Sequence, residues 1–231
     1  MRRKRRSRGE PRPPRPAQRK GSRGGAPPSH AGEASGSFLP ASERAQGAAA
    51  GQTSHLVHTL PSRERESDPQ LLARAAKIRL LLLDVDGVLT DGRLYYGAEG
   101  ELMKAFDVKD GHGIVLLREH VELGVISGRP GLARKRLEEL RFKHLAFAQR
   151  DKLAGYAELA HLGIPDAEVA YMGDDVNDIP LLQKVGLSAC PADAHPDVPG
   201  RVHFVASKPG GFGAVRELCE LILAAKGIRG W

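Results

Sequence analysis

Four consecutive leucines, Leu80–Leu83, run directly into Asp84-Val85-Asp86-Gly87. With Ile78 ahead of them they form an apolar segment too short for an independent helix and without the alternation of a half-exposed strand. The run therefore predicts a central strand buried on both faces. A strand of that kind belongs to an open parallel sheet, where ligands gather beyond the carboxyl ends of the strands. The two aspartates stand at that end, so one short segment constrains both the fold class and the place to look for a site.

The rest of the folded part repeats the pattern. Residues 93–96 and 101–106 are strand-like runs around a glycine-containing connection, 97–100, which predicts a β-hairpin. Helical spacing at Ile114, Leu117 and Val121 marks a helix over 113–121, and a strand over 124–126 ends at Ser127-Gly128-Arg129. A helix over 134–140, a strand over 145–147 and a helix over 152–162, stopped by Gly163, come next. A strand over 169–172 then runs into Gly173-Asp174-Asp175. After it the pattern predicts a helix over 179–185, strands near 187–189 and 202–205, and a closing amphipathic helix over 213–226. Alternating strands and helices imply an α/β, three-layer, doubly wound parallel sheet of Rossmann-like type. Its polar clusters at Asp84/Asp86, Ser127/Arg129 and Asp174/Asp175/Asp178 all fall at one rim.

Composition separates this body from what precedes it. Residues 1–70 carry 14 Lys and Arg against 6 Asp and Glu, hold 9 of the 16 prolines and contain one aromatic residue, Phe38. So few apolar groups cannot offset an ordering entropy of about 1–2 kcal/mol per residue, and 1–70 is expected to be a disordered basic extension before a domain at 74–231. Arg2-Arg3-Lys4-Arg5-Arg6 suits a nucleic-acid or anionic-membrane tether or an Arg-rich transit peptide, and equally a solvated extension without function. The body is nearly neutral, so no nucleic-acid partner is expected for it. No apolar stretch reaches the length of a membrane span, and a soluble, cytoplasmic protein is expected. Cys190 and Cys219 lack metal-ligand spacing and imply neither a disulfide framework nor a zinc site.

The acidic rim has a definite chemical use. Asp84 and Asp86, at i and i+2 past a strand, can divide the work of nucleophile and proton carrier. Asp174 adds a third carboxylate from another strand end, and an all-oxygen set of this kind suits Mg²⁺. Lys152 and Ser127 can offer charge and a hydroxyl to phosphoryl oxygens.

These residues resemble the haloacid dehalogenase-like phosphatase superfamily. Asp84-Val85-Asp86-Gly87-Val88 matches its first motif, Ser127 its second, Lys152 its third and Gly173-Asp174-Asp175-Val176-Asn177-Asp178 its fourth, in the family's order. The resemblance implies Asp84 as the nucleophile that forms an aspartyl-phosphate and Asp86 as acid and then base. Ser127 and Lys152 would hold the phosphoryl group. Asp84, the Asp86 backbone carbonyl and Asp174 would bind Mg²⁺, and Asp175 and Asp178 would support them, Asp178 by orienting Lys152 or a metal-bound water.

Only 43 residues separate Asp84 from Ser127 and 25 separate Ser127 from Lys152, which leaves no room for a cap domain. The strings DVDGVLTDG, FDVKDGHGI and GGFGAVRE, beginning at Asp84, Phe106 and Gly210, resemble the capless 3-deoxy-D-manno-octulosonate 8-phosphate phosphatase family. That resemblance implies hydrolysis of the octulosonate 8-phosphate for lipopolysaccharide core synthesis, with the hairpin as a flap and a homotetramer whose neighbouring subunits cover the site. Matching substrate positions are Asp86, Asp107, Val108, Lys109, Asp110, Gly111, Arg129 and Lys152. His112 and Ser127 depart from the family's usual aromatic and threonine. Alternatives are a phosphatase for a nine-carbon sugar acid 9-phosphate, a domain partnered with a sugar-acid cytidylyltransferase, or a catalytically silent binding module. For residues 107–111 and for Gly210-Gly211-Phe212-Gly213, a plain helix-entry turn is the competing structural reading.

Overall fold

The structure, a computed structural model, describes residues 68–228, and the expectation of disorder for the preceding extension lies outside the described residues. The described residues open with α1, Pro69–Ala76, which spans the boundary at 74 read from composition. Asp68 caps it by accepting from the Gln70 N–H at 2.9 Å, and Pro69 takes the first helical position, where no N–H is needed.

The strands are β1 Leu80–Leu83, β4 Glu122–Ile126, β5 His144–Ala146, β6 Val169–Met172, β7 Leu187–Cys190 and β8 Phe204–Val205, joined in the order β5-β4-β1-β6-β7-β8. Every pairing in this sheet is parallel. The chain leaves β1 on one side through β4 and β5 and returns on the other through β6, so the topological switch point lies between β1 and β6. A separate antiparallel pair, β2 Tyr95–Gly97 and β3 Gly100–Met103, forms the hairpin, with Ala98-Glu99 at its tip and Gly100 at φ +120°.

Alternation along the strands divides the core. Leu81 and Leu83 join Leu71 of α1, Ile114 and Leu117 of α2 (Val108–Leu117), Leu137 of α3 (Arg134–Glu139) and Leu218 and Ile222 of α6 (Ala214–Ala225). Leu80 and Leu82 face the opposite way, toward Leu181 and Leu182 of α5 (Ile179–Leu182) and Tyr156 of α4 (Lys152–Ala157). The result is the three-layer α/β arrangement read from the sequence.

The helix read over 113–121 begins five residues earlier, at Val108, because the Asp107 carboxylate caps it through the N–H groups of Lys109 (2.5 Å) and Asp110 (3.1 Å). The helix read over 152–162 breaks after Ala157 into a single 3₁₀ turn, and Gly163 ends it at φ +62°. Asp110 then ties α2 to α6. Its buried carboxylate accepts from the Arg216 N–H at 2.7 Å and the Gly213 N–H at 3.2 Å, two donors at the start of α6, where a helix supplies no carbonyl of its own. Removing this acceptor orphans buried N–H groups, so Asp110→Ala is expected to lower unfolding stability by about 1–3 kcal/mol. Urea denaturation followed by circular dichroism measures it; an unchanged midpoint would mean that water replaces the carboxylate freely.

Candidate active site

Three strand ends deliver the site. The Asp84 N–H continues the β1–β6 ladder by donating to the Met172 carbonyl at 3.0 Å, the Ser127 N–H donates to the Ala146 carbonyl at 2.9 Å and the Gly173 N–H to the Ala189 carbonyl at 3.2 Å. The side chains that follow are thus set by sheet hydrogen bonds. An open pocket of about 280 Å³ lies over the switch point, lined by Asp84, Asp86, Gly92, Gly128, Arg129, Asp174, Asp175 and Asn177.

Lys152 holds its floor. The side chain is fully buried, its ammonium 2.7 Å from Asp84 Oδ2 and 3.1 Å from Asp178 Oδ1, and it donates to the Ile126 carbonyl at 2.9 Å. Asp151 caps α4 at the N–H groups of Leu153 and Ala154, which starts the helix so that Lys152 points inward. Burial works to lower the Lys152 pKa, but the Asp84 and Asp178 carboxylates outweigh it and hold the ammonium above its usual range. Asp178 is saturated. Oδ1 accepts from the Tyr171 hydroxyl at 2.5 Å as well as from Lys152, and Oδ2 accepts from the N–H groups of Asp174 (3.0 Å) and Asp175 (3.1 Å). Asp175 in turn accepts from the Val176 N–H at 2.7 Å, and its backbone N–H completes a capping box with Asp178.

Carboxylate oxygens of Asp84, Asp174 and Asp178 all lie within 4.8 Å of one another, an arrangement able to hold a metal ion. Without a cation the crowding is unfavourable. Burial first, and then Asp84 and Asp178, push the Asp174 carboxyl up to about 8. Burial also raises Asp84 to about 6, against the opposing pull of Lys152. The donor set is all oxygen and over-charged for one ammonium, which fits a hard divalent cation. Asp178, with four donors already on its two oxygens, has little capacity left for one.

Gly87 makes the close approach possible. It sits at φ +82°, and a Cβ there would fall 2.0 Å from Asp174 Oδ2. Gly210 packs behind it, where a Cβ would fall 1.7 Å from the Gly87 carbonyl oxygen, and the Gly211 N–H donates to the Val88 carbonyl at 3.0 Å. The glycines of the 210–213 loop therefore serve contact with the loop that carries Asp84, while Phe212 is exposed.

Asp86 lies apart from the three-carboxylate cluster. Its carboxylate meets Lys104 through Oδ1 and the Arg129 Nε, 3.6 Å away, through Oδ2. Glu101, with Tyr96, holds the Arg129 guanidinium above its ordinary range. Ser127 is buried, and its hydroxyl oxygen accepts from the Arg129 N–H at 3.3 Å. The other expected substrate positions do not line this pocket. Asp107 caps α2, Val108 and Lys109 are exposed on its first turn, and Asp110 and Gly111 are buried, Asp110 against α6. Residues missed in the sequence are Lys104, Glu101, Tyr171 and Asn177. Asn177 stood within the fourth motif, and a buried tyrosine in a strand needs a partner for its hydroxyl; Lys104 and Glu101 carried no local signal.

Comparison with known proteins follows the same lines. A family model described as haloacid dehalogenase-like hydrolase matches residues 144–215. The 3-deoxy-D-manno-octulosonate 8-phosphate phosphatase of Salmonella typhimurium is 46% identical over 162 residues, which are 69% of this chain and 86% of that protein. The crystal structure of the phosphatase of that name from Yersinia pestis superposes with a TM-score of 0.66 at 46% identity, covering 69% of this chain and 88% of that one. The Moraxella catarrhalis phosphatase of that name, solved with magnesium ion, phosphate ion and KDO, gives a TM-score of 0.67 at 35% identity, covering 69% and 94%.

The raised carboxyl values at Asp84 and Asp174 set a pH dependence. In the metal-free protein the folded state keeps protons on these groups that the unfolded chain, with carboxyls near 3.8, has lost. Folding stability is therefore expected to fall as pH rises through 6 toward 8 in chelator, and a divalent cation should cancel much of that fall. Thermal melts at pH 6 and pH 8, with and without Mg²⁺, read it; melts independent of both would refute the reading.

Proposed function

The chain belongs to the 3-deoxy-D-manno-octulosonate 8-phosphate phosphatase family of haloacid dehalogenase-like hydrolases, and we propose that it hydrolyses that eight-carbon sugar acid phosphate through an aspartyl-phosphate on Asp84. Membership makes it a phosphoric monoester hydrolase. The observation that carries the mechanism is the buried Asp84–Lys152–Asp178 contact at the mouth of the switch point.

Asp84 attacks phosphorus while the bond to the sugar oxygen breaks and its electron pair stays on that oxygen. Asp86 gives the leaving oxygen a proton, then takes one from the water that attacks the aspartyl-phosphate, releasing phosphate and restoring Asp84. Lys152, fixed on three sides, supplies positive charge beside the nucleophile, and the Ser127 hydroxyl offers a hydrogen bond to a phosphoryl oxygen. Asp178 holds Lys152 and the Asp174–Asp175 backbone in place. Arg129, at the pocket wall, is the cation for the sugar-acid carboxylate. Mg²⁺, held by Asp84, the Asp86 backbone carbonyl and Asp174, would neutralise phosphoryl charge. Asp107, Val108, Lys109, Asp110 and Gly111 take no part in this chain's own pocket under this reading; the exposed Val108 and Lys109 would be open to a neighbour in the oligomer proposed below.

We further read the enzyme as cytoplasmic and tetrameric. No helix among the described residues is long and apolar enough to cross a membrane. The pocket is open, and Tyr96, Leu102 and Met103 of the hairpin expose large apolar surface, which supports a covering neighbour. Light scattering that returned the mass of one chain would remove the tetramer.

Phosphate release across a panel of sugar phosphates tests the whole. Turnover should be greatest on the octulosonate 8-phosphate, vanish in excess chelator, and fall by at least about a thousandfold in Asp84→Asn, whose amide cannot form the acyl phosphate. Metal-dependent turnover that is highest on a nine-carbon acid would keep the mechanism and replace the substrate. Wild-type rates in Asp84→Asn would overturn the mechanism itself.

A further inference from the structure

The side chain of Lys104, just past β3, is only 2% exposed, an unusual state for a lysine on a two-stranded hairpin. Its ammonium contacts Asp86 Oδ1 and lies 2.8 Å from Glu101 Oε1. Arg129 closes the circuit, with Nη2 donating to Glu101 Oε2 at 2.8 Å and Nε 3.6 Å from Asp86 Oδ2. With Asp86 ionised, two cations and two carboxylates alternate around a ring of zero net charge, and the buried Lys104 ammonium has a carboxylate on two sides; when Asp86 carries a proton the ring holds one positive charge in excess. The ring joins three elements: the loop after β1, the loop after β4, and the hairpin. It also accounts for Asp86 standing outside the cluster of Asp84, Asp174 and Asp178, since Oδ1 meets Lys104 beside the hairpin and Oδ2 faces Arg129 on the loop after β4.

We infer that Lys104 is a positioning residue: through it the hairpin aims the Asp86 carboxyl at the leaving-group oxygen, and Glu101 keeps Lys104 and Arg129 in register. The inference rests on the reading of Asp86 as proton donor. In that step Asp86, which has first taken up a proton from solvent, passes it to the sugar oxygen as the phosphorus–oxygen bond breaks and returns to its ionised form; Lys104 keeps its own protons. A sugar alkoxide is a poor leaving group and needs that proton, whereas nitrophenolate departs without it. A misaimed Asp86 therefore slows the first reaction and spares the second.

Single-turnover release of the leaving group, with enzyme in excess and Mg²⁺ present, isolates the bond-breaking step. It is to be measured for octulosonate 8-phosphate and p-nitrophenyl phosphate in the wild type, Lys104→Met, Lys104→Arg, Glu101→Gln and Asp86→Asn. Lys104→Met is expected to slow release from the sugar phosphate by about tenfold or more while release from p-nitrophenyl phosphate stays within about twofold of wild type. Lys104→Arg should recover part of the loss, and Glu101→Gln should show the same selectivity in weaker form. Equal losses on both substrates, or a change confined to the half-saturating substrate concentration, would overturn the inference. Should Lys104→Met fail to fold, Glu101→Gln gives the same reading. Asp86→Asn separates the two levels: no leaving-group selectivity there defeats the proton-donor reading, and selectivity there without any in the Lys104 and Glu101 variants defeats the positioning role alone.

Discussion

The structure turns on one buried ammonium. The Lys152 side chain is buried away from bulk solvent, and the carboxylates of Asp84 and Asp178 take the place of solvent around its charge. Burial, and repulsion from Asp178, push the Asp84 carboxyl up, and Lys152 opposes both. One lysine satisfies both and leaves the excess negative charge of Asp174 for a cation. Everything that fixes the lysine, from the Asp151 cap at the start of α4 to the Tyr171 hydroxyl on Asp178, is in this sense part of the site.

Backbone proximity is the second constraint. The loop after β1 must come close to the loop after β6 for Asp84 and Asp174 to share a ligand, and Gly87 admits Asp174 where any side chain would collide. The 210–213 loop then presses on Gly87 from behind, and Asp110 anchors the start of the helix that follows that loop. A chain of contacts therefore runs from α2 through α6 to the loop that carries Asp84. This gives FDVKDGHGI and GGFGAVRE a structural use whether or not either string touches substrate.

The hairpin adds charge beside the rim. Glu101 and Lys104 meet Arg129 and Asp86 there, and the chain between Asp84 and Ser127 is used up by the hairpin and α2. Local pattern gave the hairpin's existence, because two strand-like runs flank a glycine turn. Its inward charges could not be foreseen, since Lys104 and Glu101 read as ordinary polar residues on an exposed strand. Their burial depends on Asp86 and Arg129, 18 and 28 residues away from their partners along the chain.

What the sequence alone determined is the order of strands and helices and the delivery of Asp84, Asp86, Ser127, Arg129, Asp174 and Asp178 to one edge. Both follow from local rules: an apolar run makes a buried strand, and the polar residues after it must emerge at its end. Helix starts were less legible, as at α2, where Asp107 acts as a cap and draws a presumed binding turn into the helix. Only the tertiary structure decided which partner each charge takes. Asp178 turned to Lys152 and Tyr171, Asp86 to the hairpin, and Asp110 away to α6. Pairing of this kind is set by burial and by distances between remote segments, and no periodicity along the chain records it.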